Sequence, residues 1–212
     1  MKTAEQAIAQ FLDALAAKQP TPGGGGAAAL TGSQAAALVS MVINFTLGNP
    51  KYVAVEEEMA AHLVRSEALR GELLALADAD VAAFTAVSAC YGMPRTTDAE
   101  KAARTAALQA ALQDAARVPL QTARACVGVL ELVAPVAARG NVNVVSDAAT
   151  ALLLAEAALR SALVNVDINL KLIKDAAFNA EATAQRDDLV ATCRAMVEAG
   201  KAACEATLGI EL

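Results

Sequence analysis

Three groups of residues in this 212-residue chain combine types and spacings that can do chemistry. Asp80 sits in the apolar run Leu73–Phe84 and heads a stripe with Phe84, Ser88 and Tyr91, which spacings of 4, 4 and 3 place on one side of a helix. A carboxyl group in apolar surroundings holds its proton more tightly and can act as acid or base near neutral pH. The plainer readings are an aspartate that faces solvent or pairs with an arginine. Asn141-Val142-Asn143-Val144-Val145-Ser146-Asp147 then leads into a helical stretch carrying Ser161, Asn165 and Asn169 at i, i+4 and i+8. Buried amides need partners, so this polar line is either a helix-to-helix network or the wall of a polar ligand site. The third group is Pro20-Thr21-Pro22-Gly23-Gly24-Gly25-Gly26, which heads a segment with no ionised residue between Lys18 and Lys51. Bare backbone N–H groups at a helix start suit an anion or a polar ring edge, whereas glycine also simply lets helices cross closely. The run lacks the Lys-Ser/Thr ending of a P-loop and follows a helix rather than a strand, which argues against both common nucleotide-binding loops.

The elements that must hold these residues are helical. The hydrophobic fraction is 56%, but aromatics make up 3% and the excess is mostly alanine, the best intrinsic helix former. No stretch of Val and Ile alternates with polar residues for long enough to suggest a sheet. A short amphipathic helix is expected over Ala4–Ala17, with Ile8, Phe11, Leu12 and Leu15 on one face. A second runs from Gly24–Ala27 to Leu47, its stripe Ala28, Gly32, Ala35, Ala36 and Ser40 suited to close packing. A third covers Val53–Cys90, opening on Glu56-Glu57-Glu58, read as a solvated face. Thr97 and Glu100 form a capping box for a region Ala99–Arg139 that Pro119 should kink or break and Pro135 and Gly140 should end. Ser146 is the expected cap for Asp147–Lys174, and Ala180–Thr207 completes the set. Asp167, Lys171 and Asp175 recur at four as a solvated face. The expectation is an all-α, single-domain bundle of about six helices, some long and kinked, over residues 1–212.

A net charge of −6 with no basic cluster argues against nucleic acid or an anionic membrane surface as partner. Cys90, Cys126, Cys193 and Cys204 lack CxxC spacing and read as reduced core thiols of a cytoplasmic protein, and His62 alone gives no His-rich metal site. Mean hydropathy is +0.41 and Ala27–Leu47 is long enough to span a bilayer. Its Thr, Ser, Gln and Asn residues, and the missing aromatic belt, argue against a span.

Taken together, Pro20–Gly25, Asp80–Phe84, Asn141–Asp147 and Asn165–Asn169 resemble, in order and spacing, the hallmarks of the cyclodeaminase/cyclohydrolase family of folate one-carbon enzymes. The likeness extends through Pro94 and Thr97–Arg104 and covers essentially the whole chain. The resemblance implies an all-helical homodimer that acts on tetrahydrofolate derivatives, with no metal or other cofactor. Two activities occur in the family: hydrolysis of 5,10-methenyltetrahydrofolate to the 10-formyl form, and cyclisation of 5-formiminotetrahydrofolate with loss of ammonia. A chain of this length most resembles the cyclohydrolase; a non-catalytic folate-binding helical dimer is the competing reading. By the same resemblance Asp80 is the acid/base, and Asp147 joins it. Pro22, Gly23, Gly24, Gly25, Lys51, Tyr52, Asn141, Asn143, Asn165 and Asn169 would hold the substrate. The chain departs from the pattern before Tyr52, where Lys51 stands in place of several lysines, and at Pro94-Arg95, where Pro-Lys is usual.

Overall fold

The computed structural model describes residues 2–212. Six helices follow one another: α1 (Ile8–Ala16), α2 (Gly24–Asn44), α3 (Glu56–Tyr91), α4 (Asp98–Arg139), α5 (Val145–Leu170) and α6 (Ala176–Leu208). Short 3₁₀ turns stand at Thr3–Glu5, Pro50–Val55 and Val142–Val144, and no strand occurs among the described residues.

The charge-free helix lies at the centre. Ala29, Ala35, Ala36, Val39, Val42 and Ile43 of α2 have no exposed surface, and α3, α4 and α5 all pack on it. The small-residue stripe is what permits this approach: a Cβ added to Gly32 would lie 2.8 Å from Cys126 Sγ on α4 and 3.1 Å from Leu73 on α3. α5 runs antiparallel to α2, with Asn165 beside Gly24 at one end and Asn141 bonded to Phe45 and Thr46 at the other. All four cysteines are free and buried, and burial pushes the Cys126 thiol up to about 12.

Several boundaries differ from the expectations, each for a visible reason. α4 runs unbroken through Pro119 and holds Pro135 within it, and it ends at Arg139 before Gly140, as expected. Proline removes the N–H that would bond the carbonyl four residues back, which here is that of Ala115. That freed carbonyl accepts a hydrogen bond from Asn169 Nδ2 at 3.1 Å instead. Leu120, Ala123 and Cys126, buried just beyond the proline, bind the continuing helix to the core. The Thr97–Glu100 capping box forms as expected. Ser146 caps nothing: α5 begins one residue earlier, after a turn in which Asn141 Oδ1 accepts the Asn143 N–H. α6 starts at Ala176 because Asp175 accepts the N–H groups of Ala177 and Phe178. Of the residues recurring at four, Lys171 and Asp175 are exposed and Asp167 is partly exposed, 3.5 Å from Arg186. Glu56 and Glu57 are exposed, as expected of a solvated face, and Glu58 is partly buried. Glu56 accepts the Gly48 N–H, and Glu58 pairs with Arg139 at 2.6 Å, closing the α2–α3 connection onto the end of α4.

Burial is uneven. Four helical stretches are long and apolar enough to cross a membrane by length and composition, but the apolar windows of α2 and α4 are 61% and 72% buried within the bundle. That of α3 is only 22% buried. Its far half, with Phe84 and Tyr91, stands largely free of the core.

Candidate functional site

The N-terminal end of α2 is where the glycine run meets the apolar aspartate. Thr21-Pro22, joined by a cis peptide, delivers the chain to Gly23, and α2 starts at Gly24 with no side chain capping it. Its first N–H groups therefore look for acceptors outside the helix, and one is taken at once: Gly26 N–H donates to Asp80 Oδ2 at 2.9 Å. A Cβ at Gly25 would lie 2.0 Å from Asp80 Oδ1, so only glycine lets α3's carboxylate come this close to the helix backbone. At Gly24 the neighbour is the Asn165 amide, 3.7 Å from a Cβ there, which is ordinary contact. The three glycines are thus not equivalent. Gly25 and Gly26 receive Asp80, and Gly24 faces α5.

Asp80 is half-buried, and burial raises its pKa above the ordinary carboxylate range; the Gly26 N–H pulls the other way but does not cancel it. The Asp80 stripe is realised in part: Phe84 and Ser88 line a 340 Å³ cavity with Pro20 and Thr21, next to the junction. A 640 Å³ cavity lies on the other side of Pro22, roofed by the N-terminal turn, whose Thr3 N–H and hydroxyl both donate to Asp78. A third cavity, a 480 Å³ groove between α2 and α5, is walled by Gly24, Thr31, Ser161, Val164 and Asn165. Thr31 and Val164 did not stand out as site residues in the sequence. Thr31 lies seven residues after Gly24, two helical turns along one face, and that spacing is the signal that could have found it.

The polar line of α5 bonds mostly along its own helix and crosses once to α4. Ser161 Oγ donates to Ala157 O, Asn165 Nδ2 to Ser161 O, and Asn169 Nδ2 to Asn165 O and Ala115 O. Asn169 is thereby spent on the carbonyl that Pro119 releases. Asn165 and Ser161 keep a side on the groove.

The remaining residues of the resemblance gather at the opposite end of α2. Asn141 is 6% exposed, donates from Nδ2 to Phe45 O and accepts the Asn143 N–H, while its own N–H donates to Thr46 Oγ1. Tyr52 Oη accepts the Val142 N–H. Asn143 and Lys51 are exposed and Asp147 is partly exposed in the first turn of α5. α2 is 21 residues long, so the two groups stand about 30 Å apart along it. Within one chain, Asp80, Pro22–Gly25, Asn165 and Asn169 form one assembly, and Lys51, Tyr52, Asn141, Asn143 and Asp147 form a second.

The first assembly has the parts of an acid–base site: a carboxyl group of raised proton affinity, helix N–H groups beside it and a polar-edged groove. Comparison with known proteins points to the same family. The formiminotransferase-cyclodeaminase family profile matches residues 7–188. A methenyltetrahydrofolate cyclohydrolase of Methylorubrum extorquens is 49% identical over 91% of this chain and 93% of its own length. The formimidoyltransferase-cyclodeaminase of Rattus norvegicus is 32% identical over 82% of this chain, which spans about a third (32%) of that longer protein. The crystal structure of a formiminotetrahydrofolate cyclodeaminase from Thermotoga maritima superposes with a TM-score of 0.88 at 31% identity, over 98% of this chain and all of that one. The chain belongs to the formiminotransferase-cyclodeaminase family.

Proposed function

We infer that this protein is an enzyme, a methenyltetrahydrofolate cyclohydrolase, which hydrolyses 5,10-methenyltetrahydrofolate to 10-formyltetrahydrofolate. The observation that carries the reading is the half-buried Asp80 carboxyl group docked on the glycine end of α2, in a chain 49% identical to a cyclohydrolase over nearly its full length. The methenyl carbon belongs to a cationic amidinium and is already electrophilic, so the protein must supply position and proton transfer. Asp80 takes a proton from water as its oxygen bonds to that carbon, giving a neutral hydroxy adduct. The bond from carbon to N5 then breaks, N5 gains the proton from Asp80, and the adduct hydroxyl loses its proton to solvent as the formyl C=O forms. One proton is released overall. A carboxylate beside a cationic ring also stabilises the ground-state charge, which favours binding of the methenyl form over the neutral product.

Cyclodeamination of 5-formiminotetrahydrofolate is the second reading, favoured by the close superposition on the Thermotoga maritima protein. The mechanism proposed here uses no metal or other cofactor, and the working form proposed is a cytoplasmic homodimer. Following the methenyl chromophore at neutral pH separates the readings. Accelerated decay in the presence of the protein supports the hydrolase. Ammonia release from the formimino substrate without methenyl decay assigns the cyclodeaminase. Tight folate binding with neither reaction leaves a binding protein.

A further inference from the structure

Residues 2–22 cross the bundle as a strap that is weakly seated along most of its length. Its helix α1 leaves Ile8 and Leu12 in solvent and buries Phe11, which lines the 640 Å³ cavity instead of joining the main core. A segment that rests on a cavity, with little apolar surface buried beneath it, opens easily unless its ends are held. Both ends are held. At the start, Thr3 N–H and Thr3 Oγ1–H donate to the same oxygen, Asp78 Oδ1, at 2.8 and 2.7 Å, and bonds to a carboxylate are the stronger kind. At the far end, Thr21 lines the cavities on both sides of the strap, and Pro22 lines the larger one. Pro22 Cβ and Asp80 Oδ2 each lie 3.8 Å from the place a Gly26 Cβ would take. Pro22 therefore stands between the cavity and the Gly26–Asp80 contact. On α3 the two aspartates divide the work. Asp78 shares the cavity wall with Val81 and Ala82, at i, i+3 and i+4, while Asp80 turns to Gly25 and Gly26.

We propose that Asp78 and Thr3 are positioning residues for the reaction: their paired hydrogen bonds latch the strap across α3 and keep Pro22 against the Gly26–Asp80 contact, which shuts solvent away from the Asp80 carboxyl group. The proposal rests on the reading of Asp80 as the acid–base group and extends it. With the latch closed, the cavity has no open path to Asp80, and the group keeps the burial that raises its proton affinity. With the latch open, water reaches Asp80 through the cavity; the group then titrates nearer an ordinary aspartate and is a weaker base toward water. Few charges compete with this effect. The strap carries Lys2, Glu5, Asp13 and Lys18, α3 brings Asp78, and α2 brings none. Arg117 of α4 is engaged with Asp114 and the Phe178 ring, and Asp167 of α5 lies against Arg186.

Thr3→Pro tests this. Thr3 is the first residue of its 3₁₀ turn and follows an extended Lys2 (ψ 149°), so proline suits the backbone there while removing both donors. It alters no charge, so a change in the Asp80 titration reads solvent access. Three quantities are compared with wild type: the rate of tryptic cleavage after Lys18, the ¹³C titration of the Asp80 carboxyl group assigned with Asp80→Asn, and the pH profile of methenyl hydrolysis. Cleavage should be at least about tenfold faster, because it follows the population of the open strap. Asp80 should titrate at lower pH, and the acidic limb of kcat/KM should move the same way while kcat at neutral pH falls about tenfold. Thr3→Ser keeps both donors and should match wild type in all three. If Thr3→Pro does not fold, Thr3→Val, which keeps the backbone donor, should show smaller shifts in the same directions. Unchanged cleavage overturns the proposal, as does faster cleavage with Asp80 titrating as in wild type. A lower rate or stability with an unmoved titration would assign Thr3 and Asp78 a structural role only and also overturn it. If wild-type protein did not hydrolyse the methenyl compound, the cyclohydrolase reading would fail alone, and cleavage and titration would still decide the latch.

Discussion

The two ends of α2 make an instructive pair. Both gather asparagine, aspartate and exposed backbone, yet the polar groups are employed differently. At the Asn141 end the bonds given serve the fold: the amide of Asn141 serves Phe45 and Asn143, its N–H serves Thr46, and Tyr52 serves Val142, while the side chains of Lys51 and Asn143 stay exposed. Removing one partner there leaves a buried group unpaired. At the Gly24 end the glycines exclude side chains, a carboxyl group is drawn in with one backbone bond to Oδ2, and its proton affinity rises because burial outweighs that bond. The first arrangement stabilises, and the second sets up a reactive group at some expense of stability. Polar residues in similar company therefore have opposite expected phenotypes.

The sharpest break of that contrast is at Gly25. A valine there cannot coexist with Asp80 in its present place, since even the Cβ would overlap Oδ1; methenyl hydrolysis should fall by about 100-fold or more, measured beside a circular dichroism spectrum that stays helical. Asn141→Ala should do the reverse. It orphans the Phe45 carbonyl and the Asn143 N–H and should lower stability by about 2–4 kcal/mol in urea unfolding. Asn169→Ala comes next. It strands the Ala115 carbonyl that Pro119 has already released, and a loss of about 1–2 kcal/mol is expected, with a Pro119→Ala, Asn169→Ala double variant recovering part of it by restoring the helical bond. Gly24→Ala is the mildest. Its Cβ meets Asn165 at ordinary contact distance, so folding should change by less than about 1 kcal/mol, while substrate affinity falls modestly because the added methyl enters the groove.

The pH dependence follows from the same difference. Burial raises the Asp80 pKa, so the base form needed to activate water is populated only above the ordinary carboxylate range, and the acidic limb of kcat/KM should fall at higher pH than for an exposed aspartate. For stability the sign is opposite. The native carboxyl group binds its proton more tightly than the unfolded one, so its contribution is full below the unfolded pKa and is lost as pH rises through the native value. Asp80→Asn should remove that dependence from a series of thermal transitions.

Much of this was legible in the sequence. Alanine content and the charge-free segment led to a helical bundle centred on residues 24–47, and four ordered motifs led to the family. Asp80 was singled out because its neighbours are apolar, and burial is indeed what shifts it. What stayed hidden depends on contacts between distant segments. Pro119 looked like a break because the amide that replaces its lost bond, Asn169, lies 50 residues away on another helix. Which carbonyls Asn169 and Asn141 meet is hidden for the same reason, because the residue type does not say it. Nothing in the spacing of Asp80 and Asp147 indicates that α2 holds them at opposite ends.

The most direct test of the central claim, that Asp80 transfers the proton, is single-turnover decay of the methenyl chromophore with wild type and Asp80→Asn at matched thermal stability. The amide can still accept the Gly26 N–H and fill the same space, but it cannot take a proton from water. The account predicts a loss of about 10²–10⁴-fold in the chemical step with methenyl binding retained. An Asp80→Asn protein that hydrolyses at the wild-type rate would contradict it.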